Sequence, residues 1–383
     1  MNKLGITKLK DSIIPDGALD KVKISILGLS IELKTYFNLL GTLGVGGFRD
    51  QDLSQVGAIN YGKDHFTCFQ FDYDWRKSNV YNAQELSKFV EEKKLYIQKE
   101  YEKKFGIKNY DVKFNIIAHS MGGLLTRYFL RYGNQDLPKD GSLPELTWSG
   151  TENVNKVFLI GTPNGGSVYS LNDLINGKKL APVIPHYHAG ILGTLPAVYE
   201  LMPRTRHGAV FTNVNGVEKS LDIFDIQLWS DNGWGLLDPE QEFILKWILP
   251  DVESKEERRE IAKIQLKKYL DHTKQFHKSL DLKASPPPNS IKINAIAGDS
   301  IKTFSRLEVL DNGKVKFKGK VPGDGLVTRT SVLLDERVGN EWKPFLPTPI
   351  HWDNVLFLFT DHVGLTKSPI FADNILHSLL EAP

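Results

Sequence analysis

Cysteine is almost absent from this chain. Cys68 stands alone among 383 residues, which excludes an intrachain disulfide and any metal centre built from cysteine ligands. Long apolar runs are missing too. No stretch approaches the roughly 20 apolar residues of a membrane-spanning helix, and the first 20 residues carry charges throughout with no apolar core of signal-peptide length. A cytoplasmic chain is the default expectation from those two absences. An excess of one charge is lacking as well: the net charge is +2, and no Lys/Arg cluster is set among aromatic stacking positions, so a nucleic-acid partner is not expected. No metal and no cofactor are expected, and no repeat or low-complexity segment stands out.

What is present begins at Asn115-Ile116-Ile117-Ala118-His119-Ser120-Met121-Gly122-Gly123, an apolar strand running into a small-residue turn with a serine at its tip. A strand-to-helix turn this sharp strains the central residue and needs tiny neighbours, hence the usual pattern G-x-S-x-G. Ala118 replaces the first glycine and adds one methyl. After the turn, Leu124, Leu125, Tyr128, Phe129 and Leu130 recur at helical spacing, so a helix follows where the motif requires one. The plainer reading is a chance turn. Strand before and helix after argue for a nucleophile elbow.

A serine hydroxyl is a poor nucleophile until a histidine takes its proton, and in such folds the acid and then the histidine follow downstream. Ten histidines compete. His119 adjoins the serine, but neighbours on a strand point to opposite faces, so it is expected to pack beneath the turn. His186, His188 and His207 lie in a middle insertion, His272 and His277 in a charged helix, His351 in a Pro-rich stretch and His377 in the terminal helix. His362 follows the apolar run Val355-Leu356-Phe357-Leu358-Phe359 and is chosen on that ground. For the acid, Asp324 lies between two glycines in Pro322-Gly323-Asp324-Gly325, while Asp299 follows the apparent strand Ile291 to Ala297; the residues alone leave both open. Asp361 is next to the histidine it would have to face.

Four stretches resemble the lecithin:cholesterol acyltransferase-like lipases, a family that includes lysosomal phospholipases, phospholipid:diacylglycerol acyltransferases and bacterial lipase-like proteins. They are Ala118-His119-Ser120-Met121-Gly122, with the alanine this family commonly uses; Phe71-Asp72-Tyr73-Asp74-Trp75-Arg76, similar to its Y-D-W-R; Ile160-Gly161-Thr162-Pro163-Asn164-Gly165-Gly166-Ser167, similar to its G-[AT]-P-x-G-G-S; and Gly323-Asp324-Gly325 with Val327, similar to its G-D-G-T-V. The resemblance runs from about Pro15 to the end and favours Asp324 as the acid. It implies an α/β-hydrolase fold, a mostly parallel sheet flanked by helices with an inserted cap. The expected division is a core of 1–166 and 251–383 with a cap of 167–250.

One departure bears on chemistry. The family opens with a strand and a P-G-x-x-G loop that supplies one oxyanion donor, and a P-D-G segment follows well after it. Here Pro15-Asp16-Gly17 falls almost at the start, so the first strand and its loop are expected to be missing. In the alternative, Lys23 to Leu27 takes the strand's place and Gly28-Leu29-Ser30 opens the next helix. Losing one such donor costs about a hundred- to a thousandfold in turnover.

The implied activity is that of a Ser-His-Asp lipase or phospholipase, or an O-acyltransferase to a lipid alcohol, working through an acyl-enzyme. Ser120 is the expected nucleophile, His362 the base, Asp324 its orienting acid, and the Met121 N–H one oxyanion donor. Trp75 is a candidate substrate contact, though a Trp at a strand end is usually core, and Arg76 is expected to brace its loop against Asp72 or Asp74. The other readings are a non-catalytic lipid-binding relative and an esterase on a non-lipid ester.

Coarse elements complete the picture: a strand at 66–71, a helix near 82–105, a strand at 112–118, a helix at 120–132, a strand at 157–160, and a hairpin from Arg306 to Lys320 turning at Asp311-Asn312-Gly313. Between Ser167 and Pro250 aromatics such as Trp229, Trp234 and Trp247 mix with apolar residues, either to shield an acyl chain or to pack the insertion's own core. Glu253 to Lys274 reads as a solvated amphipathic helix, with membrane-surface contact as its second reading.

Overall fold

The computed structural model describes residues 21–26, 29–34, 36–53, 55–56, 59–60, 65–179, 186–283, 285–288, 291–337 and 343–380, the strands before residue 36 and at 55–60 by their backbone pairing alone. Pro15-Asp16-Gly17 and Gly28 lie outside this set.

Among the described residues the main sheet has four parallel strands in the order Asn354–Leu358, Lys292–Gly298, Val154–Ile160, Phe114–His119. Strands covered on both faces should be apolar almost continuously, and Val154–Ile160 is so from Val157 onward, after Asn155 and Lys156, with only one of its residues not buried. The two-residue alternation divides its side chains between two cores. Val157 and Leu159 face a cluster completed by the helices Asn79–Phe105, Gly122–Tyr132 and Lys255–Asp281, through residues such as Val80, Leu86, Leu124, Tyr128, Phe276 and Leu280. Phe158 and Ile160 face the other cluster, closed by Leu39 and Leu43 of helix Phe37–Val45 and by Phe371 and Ile375 of helix Pro369–Leu380.

A second sheet draws together distant parts of the chain, in the order Val315–Gly323, Ile301–Val309, Val210–Val214, Val217–Ser220. Its hairpin turns at Gly313, in the left-handed region at φ +77°. A third apolar cluster lies beside it, containing Leu174, Tyr199, Trp229, Trp234, Leu236, Leu266 and Leu270. Both indoles find acceptors there, Trp229 at the Ile223 carbonyl (2.8 Å) and Trp234 at the Gly313 carbonyl (2.7 Å). These two aromatics therefore pack a core that residues 167–250 share with helix Lys255–Asp281 and strand Ile301–Val309, whereas Trp247 is exposed.

Helix Lys255–Asp281 starts at Ser254, whose hydroxyl accepts from the Glu257 N–H. Of the apolar side seen in the sequence, Leu266 and Leu270 are fully buried in the third cluster and Ile264 is exposed. Most of the face that a membrane-surface helix would need is thus engaged within the protein. Among the described residues no helix is long and apolar enough to cross a membrane.

Two local expectations differ from the structure. Among the described residues, 66–71 form no ladder; one bridge joins Cys68 to Asp50, with the Cys68 N–H donating to the Arg49 carbonyl. An extended segment becomes a strand only when a neighbour supplies the ladder, and a cavity of about 720 Å³ is lined both by this segment and by Phe114–His119. Lys21–Ile26 pairs antiparallel with Leu29–Lys34 in a separate two-stranded ribbon, and the next described helix starts at Phe37, so Leu29 and Ser30 belong to a strand and open no helix.

Candidate active site

Strand Phe114–His119 leads into helix Gly122–Tyr132, and Ser120 sits at the turn with φ +54°, a left-handed conformation rare for a residue with a side chain. The Ser120 N–H donates to the Ile160 carbonyl (2.8 Å), which ties the turn to the neighbouring strand. The alanine in place of the first glycine fits for a visible reason: a Cβ built on Gly122 would lie 3.9 Å from that of Ala118, in ordinary contact. Gly123 is the tighter position, where a Cβ would fall on the Thr162 side chain. Met121 is the N-cap of a helix buried along its whole length, so its N–H stands at the positive end of the helix, outside the intrahelical bonding pattern.

Three of the residues singled out by the sequence form one hydrogen-bonded series. The Ser120 hydroxyl lies 2.9 Å from His362 Nε2, and His362 Nδ1 lies 2.7 Å from Asp324 Oδ2. A carboxylate accepts and does not donate, so Nδ1 carries the proton and Nε2 is free to accept from the serine. The other Asp324 oxygen accepts from the N–H groups of Leu326 (2.9 Å) and Val327 (2.7 Å), which fixes the buried carboxylate in place. The rival acid, Asp299, pairs instead with Arg329 (3.1 Å), and Asp361 accepts from the Gly364 N–H (2.7 Å).

Glycines shape the surroundings. Gly161, at φ +55°, lies against His362, and a Cβ there would come within 3.2 Å of the imidazole. Gly298 ends its strand where a Cβ would be 2.5 Å from that of Asp324. The run through Ser167 is a cross-link. Asn164 accepts from Arg127 of the elbow helix (3.0 Å) and donates to the Val332 carbonyl (2.6 Å), and the Ser331 hydroxyl donates to the Gly166 carbonyl (2.6 Å). Helices Gly122–Tyr132 and Arg329–Leu333 are thereby held to one segment.

His119 does pack beneath the turn, and it has partners far along the chain that no neighbouring residue signals. Its Nε2 is 3.0 Å from the His362 carbonyl and its Nδ1 is 2.9 Å from the Tyr36 hydroxyl. Other histidines bond elsewhere, among them His272 and His277 at Glu200, His207 at Glu336 and His65 at Lys104. Arg76 braces its loop on Asp74 (2.8 Å), the local role expected of it. Trp75 is about half exposed and lines the 720 Å³ cavity together with Phe71, Phe89 and Ile117.

The family model for lecithin:cholesterol acyltransferase matches residues 51–282. No curated protein matches the sequence. Among solved structures, the chain is similar to one in the Tle4-Tli4 complex, with a TM-score of 0.55 and 17% identity over 82% of this chain and 69% of that one. It is also similar to Bacillus licheniformis lipase BlEst2 in propeptide form (TM-score 0.33, 14% identity, 82% of this chain and 42% of that one) and to lipase 1 from Pelosinus fermentans (0.29, 13%, 70% and 72%). The last two likenesses are too distant to carry an argument. The parallel sheet flanked by helices is an α/β-hydrolase fold.

Proposed function

The chain belongs to the lecithin:cholesterol acyltransferase family, and on that premise we propose that it is a serine hydrolase acting on lipid acyl esters through an acyl-enzyme. The observation that carries the reading is the position of His362, in hydrogen-bond contact with both the Ser120 hydroxyl and the Asp324 carboxylate.

In the proposed reaction Ser120 Oγ attacks the ester carbonyl while His362 Nε2 takes its proton, and Asp324 stabilises the imidazolium through Nδ1–H. The Met121 N–H meets the developing oxyanion, with the helix N-terminus adding a favourable field. His362 then gives the proton to the leaving alcohol. The second half repeats the sequence with water, or with a lipid alcohol, as the acceptor. Residues 1–166 and 251–383 would form the core and 167–250 the cap, to which the hairpin of 301–323 adds two strands. The aromatic cluster that this segment shares with helix Lys255–Asp281 and the hairpin supports a cover rigid enough to exclude water and favour acyl transfer.

Labelling with a fluorophosphonate tests nucleophile activation without any assumption about the substrate. Wild-type labelling that disappears in Ser120→Ala and His362→Ala is the expected result. A folded wild-type chain that does not label leaves the family's non-catalytic lipid-binding reading in its place.

A further inference from the structure

We propose that His119 is a positioning residue for His362: its Nε2–H holds the main-chain carbonyl of the base while the Tyr36 hydroxyl fixes its tautomer. The proposal rests on the acyl-enzyme reading above. A carbonyl oxygen only accepts, so at 3.0 Å the proton must be on His119 Nε2. A neutral imidazole protonated there offers Nδ1 as an acceptor only, so Tyr36, at 2.9 Å, donates. The series runs one way, from the Tyr36 hydroxyl through His119 to the His362 carbonyl.

Burial supports it. Loss of solvent, then the neighbouring charge of His362, pulls the His119 imidazole down to about 4, while burial pushes Tyr36 up to about 12. Both are therefore neutral near pH 7, and only a neutral imidazole presents one donor and one acceptor. The titratable groups facing His119 are Tyr36, His362 and Asp324.

The geometry gives the contact its consequence. The His362 N–H donates to the Asp324 carbonyl (3.0 Å), so with His119 on its carbonyl the base is held at both main-chain groups. The two imidazole rings also pack with centroids 4.8 Å apart. His119 and Ser120 are consecutive, the first pointing beneath the strand end and the second out of it. One rigid element, anchored to its neighbour through the Ser120 N–H, thus places the nucleophile directly and the base through His119. A misplacement of about 1 Å at such a site can cost about a hundredfold.

The test compares the full-length wild type with His119→Leu, His119→Gln and Tyr36→Phe, by fluorophosphonate labelling rate and by kcat and KM on a soluble acyl ester. His119→Leu removes the donor; Gln can return an N–H to the same carbonyl; Tyr36→Phe keeps the ring and removes only the donor to Nδ1. The expected result is a loss of about ten- to a hundredfold in labelling rate and kcat for Leu with KM unchanged, substantial recovery by Gln, and a smaller loss for Phe. A wild type that labels beside a His119→Leu chain that labels at the same rate overturns this proposal alone. If the Leu chain does not fold, His119→Ala takes its place, and a Gln variant that labels no faster than His119→Ala, or a Tyr36→Phe variant equal to wild type, overturns it. A wild type that does not label overturns the acyl-enzyme reading and this proposal with it.

Discussion

Gly123 and Thr162 are packed so closely that a Cβ on the glycine would lie 1.9 Å from the threonine hydroxyl oxygen and 2.8 Å from its Cβ. The elbow helix can approach the loop after Val154–Ile160 only because position 123 carries no side chain. Gly123→Ala should destabilise the fold by about 1–3 kcal/mol through overpacking. Combining it with Thr162→Ala should recover part of that loss, a non-additivity that a double-mutant cycle in urea would measure.

Asp324→Asn keeps the shape of the acid but lets the amide donate to His362 Nδ1, which selects the wrong tautomer for accepting the Ser120 proton. The expected effect is a fall in kcat of about ten-thousandfold with little change in melting temperature. Asp299→Asn should leave kcat within a fewfold of wild type, since its partner is Arg329. Equal losses in the two variants would contradict the assignment of the acid.

Glu200 is fully buried, and one of its oxygens accepts from both the N–H and the side-chain amide of Asn79 (2.7 and 2.6 Å) while the other meets His272 Nε2 (2.8 Å). This carboxylate joins the start of helix Asn79–Phe105 to helix Lys255–Asp281. Glu200→Ala leaves those donors unpaired and should cost about 3–5 kcal/mol in chemical denaturation. Fluorophosphonate labelling per folded molecule should be retained, because no partner of Glu200 touches Ser120, Asp324 or His362.

Acid should loosen a second junction. Burial works to raise the Asp281 carboxyl, but Arg204, then Arg206 and Arg127, hold it well below its ordinary value; Glu336 is likewise brought down to about 2 against burial, by hydrogen bonds from His207 and Arg206. A carboxyl depressed in the folded state adds stability above its unfolded pKa and loses it as pH falls through the folded one. The stability difference between wild type and Arg206→Met should therefore be large at pH 7 and shrink from about pH 4.5 toward pH 2. Thermal melts across that range check it; a difference that grows on acidification would reverse the sign.

Much of the candidate site's geometry is legible because its signals are local. The elbow shows as apolar residues, a small-residue turn and helical spacing within one short segment, and Asp324 and His362 each follow a recognisable strand. What was not legible depends on partners far along the chain. Tyr36 reaches His119 across 83 positions and His119 reaches His362 across 243, and neither pairing leaves a mark on the residues beside it. Residues 66–71 have the composition of a strand, yet a strand is made by its neighbour, which no window contains. The second sheet, joining Val210–Val214 to Ile301–Val309, is another long-range pairing that alternation alone could not reveal.

Ser120 at φ +54° carries an implication for descent. At that backbone angle glycine, and to a lesser degree asparagine, is more comfortable than serine, so the fold by itself favours replacing Ser120. A serine persists there only while its hydroxyl is selected. In a lineage that no longer needs the chemistry, position 120 should drift to glycine early, with a gain in stability, while Gly123 and Thr162 stay as they are because the packing between them serves the fold.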